Sequence, residues 1–198
     1  MNNNEPFLIT SMKIDIDLEE VIQECTKIVD QYKAANPETN LKQAFSIILT
    51  ENPGVLESRG NIIAYEDIHN TQYFDRENEA VLQPVYKETI LSDLVSKLPF
   101  PFSIIRLSVL PPSSVIAMHT DAACHAQLAI TTNQDCFVAA RSGETKHVPV
   151  DSRLYVFSTT LPHTAFNASL EERIHMSISI FNDDYSKLLV SAASVPNL

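Results

Sequence analysis

A chain of 198 residues is long enough to bury one sizeable core and too short for two ordinary domains to be the default, so the expected organisation is one domain, 1–198. Its 44% hydrophobic and 20% charged residues exclude a disordered or fibrous class. A net charge of −11 without clustered Lys and Arg argues against a nucleic-acid partner, and with no apolar run of spanning length and no signal-like start in MNNNEPFLIT the expectation is no membrane partner and a cytoplasmic location.

Up to about Pro99 the signals are mostly helical. Asp17 is placed to cap LEEVIQECTKIVDQYKAA, in which Leu18, Val21, Ile22, Cys25, Ile28, Val29 and Tyr32 recur at helical spacing, the pattern of a scaffold helix. LKQAFSIIL reads as a short apolar helix or strand, NIIAY as a strand, and IHNTQYFDREN as a polar, aromatic loop. The run NEAVLQPVYKETILSDLVSKL contains Pro84, so its helix is expected to start near that residue. Residues 1–99 are thus expected to be a helix-rich support.

After Pro101 the texture changes to short alternating runs between turns. FSIIRLSVL, SVIAMHTD, AQLAITT, CFVAAR, TKHVPV, RLYVFS, HTAFNA and ERIHMSISIF are eight candidate strands, with Pro111-Pro112, Asn133-Gln134-Asp135, Ser142-Gly143 and Asp151-Ser152 among the separators. Eight antiparallel strands in two facing sheets form a jelly-roll or cupin fold, also called a double-stranded β-helix, expected here over 100–185. The expected class is α+β, mainly β. In the last strand Arg173, His175, Ser177 and Ser179 share one face, and Ile174, Met176, Ile178 and Ile180 the other. Either the polar face looks at solvent, the commoner case in antiparallel sheets, or it lines the barrel mouth while the isoleucines pack under the helices.

Three residues in this half point to metal chemistry. His119 and Asp121, two apart in a strand-like run, project the same way and form a two-point chelate that His163 can complete by antiparallel pairing. Two imidazoles and one carboxylate on one face leave positions open, as in non-haem Fe(II) oxygenases, whereas a structural zinc site is closed by four protein ligands. Ten residues past His163, Arg173 offers a bidentate fork suited to a carboxylate, here that of 2-oxoglutarate. Taken singly, His-x-Asp, a His after Pro and a strand Arg are each ordinary structural residues; their order and strand-like context carry the reading. The odd, widely spaced Cys25, Cys124 and Cys136 make neither a disulfide framework nor a zinc ribbon, and Cys124 reads as a small buried hydrophobe rather than a ligand.

The segments SVLPPSSVIAMHTD, LAITTNQDCF and YVFSTTLPHTAFNASLEERIHMSI resemble the aspartyl/asparaginyl β-hydroxylase and proline hydroxylase branch of the Fe(II)/2-oxoglutarate dioxygenases. That resemblance implies iron on His119, Asp121 and His163, the distal carboxylate of 2-oxoglutarate on Arg173, and a hydroxyl from Ser108 on the same carboxylate. Relatives tend to carry an Arg-x-His pair in the third strand to help hold the cosubstrate; His125-Ala126-Gln127 stands there instead, supplying hydrogen bonds but less fixed charge. Their glycine before the first ligand strand is Ser113, which suits a turn that avoids the left-handed region. The implied reaction uses O₂ to convert 2-oxoglutarate to succinate and CO₂ while one C–H bond becomes C–OH, and Asp121 favours hydroxylation over halogenation.

The substrate expected is a small molecule or peptide presenting an amino acid or amino-acid-like group, which His69, Tyr73, Asp75 and Arg76 in Ile68–Asn78 could meet at the mouth; as a connector the same loop would have no role. Two other classes use the same residues: a cupin-type metalloenzyme without 2-oxoglutarate, and a jelly-roll binding module whose histidines are structural.

Overall fold

The computed structural model describes residues 6–37, 43–51, 80–181 and 187–188. The expected strand NIIAY and the loop Ile68–Asn78 lie outside the described residues.

Helix α1 (Leu18–Ala35) begins where the Asp17 side chain accepts a bond from the Glu20 amide, with Glu19 and Glu20 in the first turn and Lys33 in the last, all favourable to the helix dipole. Its buried residues are Val21, Cys25, Ile28 and Val29, part of the stripe read from the sequence. The second helix, α2 (Ile90–Ser96), starts later than Pro84 suggested. Pro84 opens only a 3₁₀ turn to Tyr86, and the helix waits for Thr89, whose side chain accepts from the Leu91 amide and supplies the cap Pro84 lacks.

Twelve strands are described: β1 (Leu8–Lys13), β2 (Phe45–Ile48), β3 (Thr50–Glu51), β4 (Val81–Leu82), β5 (Phe102–Leu110), β6 (Ser114–Val115), β7 (Cys124–Thr131), β8 (Cys136–Ala140), β9 (Thr145–Lys146), β10 (Arg153–Phe157), β11 (His163–Asn167) and β12 (Arg173–Ile180). Each of the eight expected strands of the C-terminal half appears. Six form one sheet in the order β1-β10-β7-β12-β5-β2, four a second in the order β6-β11-β8-β9, and β3-β4 a small pair, all antiparallel. The fold is mainly β with a jelly-roll core. Both edges of the large sheet come from before Pro99: β2 resolves LKQAFSIIL as strand, and β1 forms in a stretch whose sequence announced no strand.

Ile174, Met176, Ile178 and Ile180 enter one core with Val21, Cys25, Ile28, Val29, Leu91 and Leu94, so the apolar face of β12 packs under the helices. Arg173, His175, Ser177 and Ser179 are buried on the opposite face. The less common of the two orientations is therefore the one adopted, and burying each of those isoleucines stabilises it by roughly 1.5–3 kcal/mol.

Two expected strands are cut short. TKHVPV keeps only Thr145–Lys146, Pro149 having no amide to donate to a ladder. SVIAMHTD keeps Ser114–Val115, and the reason positions the site: the Ile116 amide bonds to Ala165, but the next pair joins His119 to His163, through bonds of 2.9 and 2.8 Å. Three steps along one strand therefore oppose two along the other, a β-bulge at Ala117-Met118 that re-aims the residues beyond it.

The turn before β6 also departs from expectation. Ser113 has φ +52°, inside the left-handed region that its replacement of glycine was expected to avoid. Its amide bond to Ser169 at 3.0 Å holds a conformation costing an L residue roughly 1–2 kcal/mol.

Candidate active site

Beyond the bulge, the His119–His163 bridge fixes two imidazoles side by side, with ring centroids 4.3 Å apart. Asp121 is pinned separately, its amide bonded to the Thr159 carbonyl at 2.9 Å. The chelate arises here from a bulged segment rather than from the regular strand expected, yet both side chains converge on His163 as anticipated.

Each histidine binds a main-chain carbonyl through Nδ1, His119 to Ala117 at 2.8 Å and His163 to Leu161 at 3.0 Å. A carbonyl can only accept, so Nδ1 carries the proton and Nε2 presents a lone pair, the state a metal requires. His119 Nε2 lies 3.6 Å from Asp121 Oδ1, and His163 Nε2 lies 3.4 Å from Asp121 Oδ2. Bonds of roughly 2.0–2.2 Å to a first-row divalent ion place neighbouring ligand atoms about 3 Å apart, so this donor set needs only small adjustments to close on one. The orientation of the ligands and their His₂-carboxylate chemistry fit iron.

Burial pushes the His163 imidazole down, to about 4, against the pull of Asp121, so it is neutral and ready to bind at ordinary pH. Burial alone would raise the Asp121 carboxyl; the His125 N–H bond and the Arg106 guanidinium outweigh it and hold the group well below the usual carboxylate range. His125 Nδ1 is 3.0 Å from Asp121 Oδ2 and 3.2 Å from Thr159 Oγ1, whose own proton goes to the Ala123 carbonyl. His125, expected to help hold the cosubstrate, therefore directs this nitrogen to the carboxylate of the metal set.

Arg173, 5% exposed, lies elsewhere in the same cavity. Its Nε and Nη2 are 3.0 and 2.7 Å from the two ring nitrogens of His175, and Nη2 donates to Gln127 Oε1 at 3.4 Å. Those partners are neutral: burial and the neighbouring Arg173 push His175 well below its ordinary value. Burial also lowers the guanidinium, to about 10, which leaves it charged at neutral pH. Among the described residues no carboxylate lies within ion-pair distance of Arg173. A buried cation without a counter-charge is costly, and an anionic ligand is the simplest compensation.

The cavity, about 220 Å³, is lined from both sheets and holds His119, Asp121, His163, Arg173, Ser108, His125 and Gln127 together. Every residue singled out from the sequence for metal or cosubstrate thus lines one cavity. Ser108 is opposite His175 in the β5–β12 ladder, with its Oγ 3.4 Å from Ser46 Oγ. The cavity's size, below the roughly 300–1,000 Å³ of drug-sized pockets, suits a small dicarboxylate. His175, Ser46 and Arg106 were not among the expected site residues. Strand parity could have found two of them, since His175 is two past Arg173 and Arg106 two before Ser108; Ser46 lies on an edge strand with no motif around it.

No curated protein matches the chain in sequence. Among solved structures, a Pseudomonas putida prolyl-4-hydroxylase is 16% identical, covering 89% of this chain and 93% of its own, with a TM-score of 0.44. AviO1 from Streptomyces viridochromogenes is 14% identical over 89% of this chain and 87% of its own, with a TM-score of 0.47. The viral collagen prolyl hydroxylase of Paramecium bursaria Chlorella virus-1, solved with 2-oxoglutarate, is 12% identical over 86% and 94%, with a TM-score of 0.43. The family model described as aspartyl/asparaginyl beta-hydroxylase matches residues 13–183, taking in both helices and every strand from β2 to β12. With that match over most of its length, the chain belongs to the aspartyl/asparaginyl β-hydroxylase family of oxygenase enzymes.

Proposed function

We propose that this protein is an Fe(II)- and 2-oxoglutarate-dependent dioxygenase that hydroxylates an amino acid, a peptidyl residue or an amino-acid-like metabolite. The observation that carries the proposal is the pairing, in one cavity, of a His-Asp-His donor set with a buried arginine that has no carboxylate partner among the described residues. In this reading His119, Asp121 and His163 hold the iron, which with 2-oxoglutarate and O₂ supplies the oxidising power to convert an unactivated C–H bond to C–OH.

The remaining residues bind and orient. Arg173 takes the distal carboxylate of 2-oxoglutarate through its fork, exchanging neutral contacts for a charge-assisted pair. Ser108 donates a hydroxyl to the same end, and Gln127 steadies the guanidinium through its amide oxygen. His125 donates to Asp121 Oδ2 and limits how that carboxylate can turn. No side-chain general base is required, because the chemistry belongs to the metal and cosubstrate.

A cupin-type enzyme without 2-oxoglutarate would leave the Arg173 charge unexplained, and a silent binding module would leave unexplained why both histidines turn Nε2 toward one carboxylate. Incubating the purified protein with Fe(II), 2-oxoglutarate and air tests the proposal. Succinate should form, more slowly without a second substrate, and a panel of free amino acids and short peptides should contain one that accelerates it and gains one oxygen atom. No succinate above an iron-free control would reject the assignment.

A further inference from the structure

Asp121, His125 and His163 all bond to one turn, residues 158–161, closed by the Leu161 amide on the Ser158 carbonyl at 3.0 Å. Within it the Thr159 carbonyl accepts from the Asp121 amide, Thr159 Oγ1 lies 3.2 Å from His125 Nδ1, and the Leu161 carbonyl accepts from His163 Nδ1. The turn is in its own right held from the N-terminal side of the chain. Ser158, fully buried, donates its amide to the Phe7 carbonyl at 2.9 Å and its hydroxyl to the Pro6 carbonyl at 3.1 Å.

The Phe7 side chain reaches the same place by packing. At 1% exposed, it enters a core between the two sheets with Ala129, Tyr155 and Phe157 from one and Val138 and Ala140 from the other. Its ring centroid lies 5.1 Å from that of Phe157 and 6.0 Å from that of His163. The ring does not line the cavity, so it bears on His163 from outside it. Its amide is tied as well, 3.4 Å from Glu144 Oε2. Phe7 precedes residue 13, where the family match begins, so this support is an addition of this chain to the matched region.

We propose that Pro6 and Phe7 are positioning residues for the metal: Phe7 backs the His163 imidazole, and the two carbonyls fix the turn that aims Asp121 and His163. This rests on the metal-binding part of the dioxygenase reading. A chelate needs its donor atoms held to within roughly 0.5 Å, and side chains keep such positions only when packing locks their rotamers. The Nδ1 bond to Leu161 sets which way the His163 ring faces, yet the ring can still tilt about that bond unless a neighbour fills the space behind it. Phe7 is that neighbour. Truncating it leaves a void that a packed interior closes only in part, and His163 Nε2, 3.4 Å from Asp121 Oδ2, gains room to swing away.

An ordinary core side chain lacks this reach. Leu91 is as buried as Phe7, at 1%, but belongs to the separate core beneath the helices. Removing either side chain should destabilise the fold. Only Phe7 should change what the folded protein binds, because lower stability does not weaken affinity while almost all of the chain stays folded.

The test titrates the full chain with Mn(II) anaerobically at neutral pH, reading free Mn(II) by EPR, with melting temperature measured alongside. Phe7→Ala should bind Mn(II) about 10- to 100-fold more weakly than wild type, the range typical when a group that orients a metal ligand is lost. Phe7→Leu, which refills much of the volume without the flat ring, should fall between the two. Ser158→Ala, which removes only the bond to Pro6, should lose affinity by less than Phe7→Ala. Leu91→Ala should melt lower and keep wild-type affinity. Wild-type affinity in a folded Phe7→Ala, or an equal loss in Leu91→Ala, would overturn the inference. If Phe7→Ala does not fold, wild-type affinity in both Phe7→Leu and Ser158→Ala overturns it instead. Failure of wild type to bind Mn(II) would overturn the metal site itself rather than the part Phe7 plays in it.

Discussion

Replacing Arg173 with Met should make the ligand-free protein more stable and the ligand-bound protein less responsive. The side chain is 5% exposed, and its contacts, His175 and Gln127, are neutral. Met keeps much of the length without the charge, His175 and Gln127 keep their own contact of 3.0 Å, and His175 Nε2, which loses the Arg173 Nε donor, lines the cavity where water can replace it. Exchanging poorly compensated buried charge for apolar volume is worth on the order of 1–3 kcal/mol, or roughly 2–12 °C in melting temperature at this chain length. The ligand side has the opposite sign. Losing a buried charge-assisted pair costs about 2–5 kcal/mol, weakening 2-oxoglutarate by roughly 30- to 4,000-fold. Wild type at 100 times its Kd should gain about 2.7 kcal/mol from 2-oxoglutarate, and the variant at most about 0.9 kcal/mol at the same concentration. Scanning calorimetry of the Mn(II) forms, with and without 2-oxoglutarate, reads both effects. A variant that melts below wild type yet keeps the full ligand shift would show Arg173 to be a satisfied structural cation and remove the main support for the cosubstrate assignment.

Asp121→Ala or His163→Ala should abolish binding of Fe(II), followed by anaerobic metal titration, while Arg173→Ala leaves it intact; unchanged metal affinity in the first two would mean that the donor set is not the site. The metal-free protein should lose stability as pH falls from about 6.5 toward about 4, because folding holds His163 at the lower value and the unfolded chain then binds more protons. Above that window the contribution is complete; below it the loss from His163 alone is on the order of 3 kcal/mol, and His175 acts in the same direction. A flat urea midpoint across that range would contradict the burial argument. Ser113→Gly should raise stability by up to about 1 kcal/mol, relief of left-handed strain being partly offset by greater freedom in the unfolded chain, and Ser113→Val should lower it. Chemical denaturation distinguishes the two, and equal loss in both would point to the side chain instead of the backbone.

Much of this architecture was legible because its signals are local. Period-two alternation marked the C-terminal strands, and the same parity in β12 separated Arg173 and His175 from the isoleucines beneath the helices. Asp17 announced α1 because a cap is read within a few residues. What escaped depends on partners distant in the chain. Strand β1 exists because it can pair with β10, some 140 residues away, and LITSMK alone has no buried face to betray it. The bulge at Ala117-Met118 is a mismatch between two strands and cannot be seen in either one. His125 illustrates the same limit within the site: its sequence neighbours suggest the cosubstrate, but the fold brings Asp121 and Thr159 to its Nδ1. Arg106 was readable as a strand residue, while its unpartnered nitrogen appears only once the cavity is built.

The central claim is that this cavity couples O₂ reduction to the oxidation of 2-oxoglutarate. The most direct measurement is isotopic: incubate the Fe(II)-loaded protein with 2-oxoglutarate under oxygen-18 gas and weigh the succinate by mass spectrometry. One labelled oxygen atom per succinate is predicted for wild type, with none formed by His163→Ala. Succinate lacking the label, or label appearing equally with His163→Ala, would contradict the account.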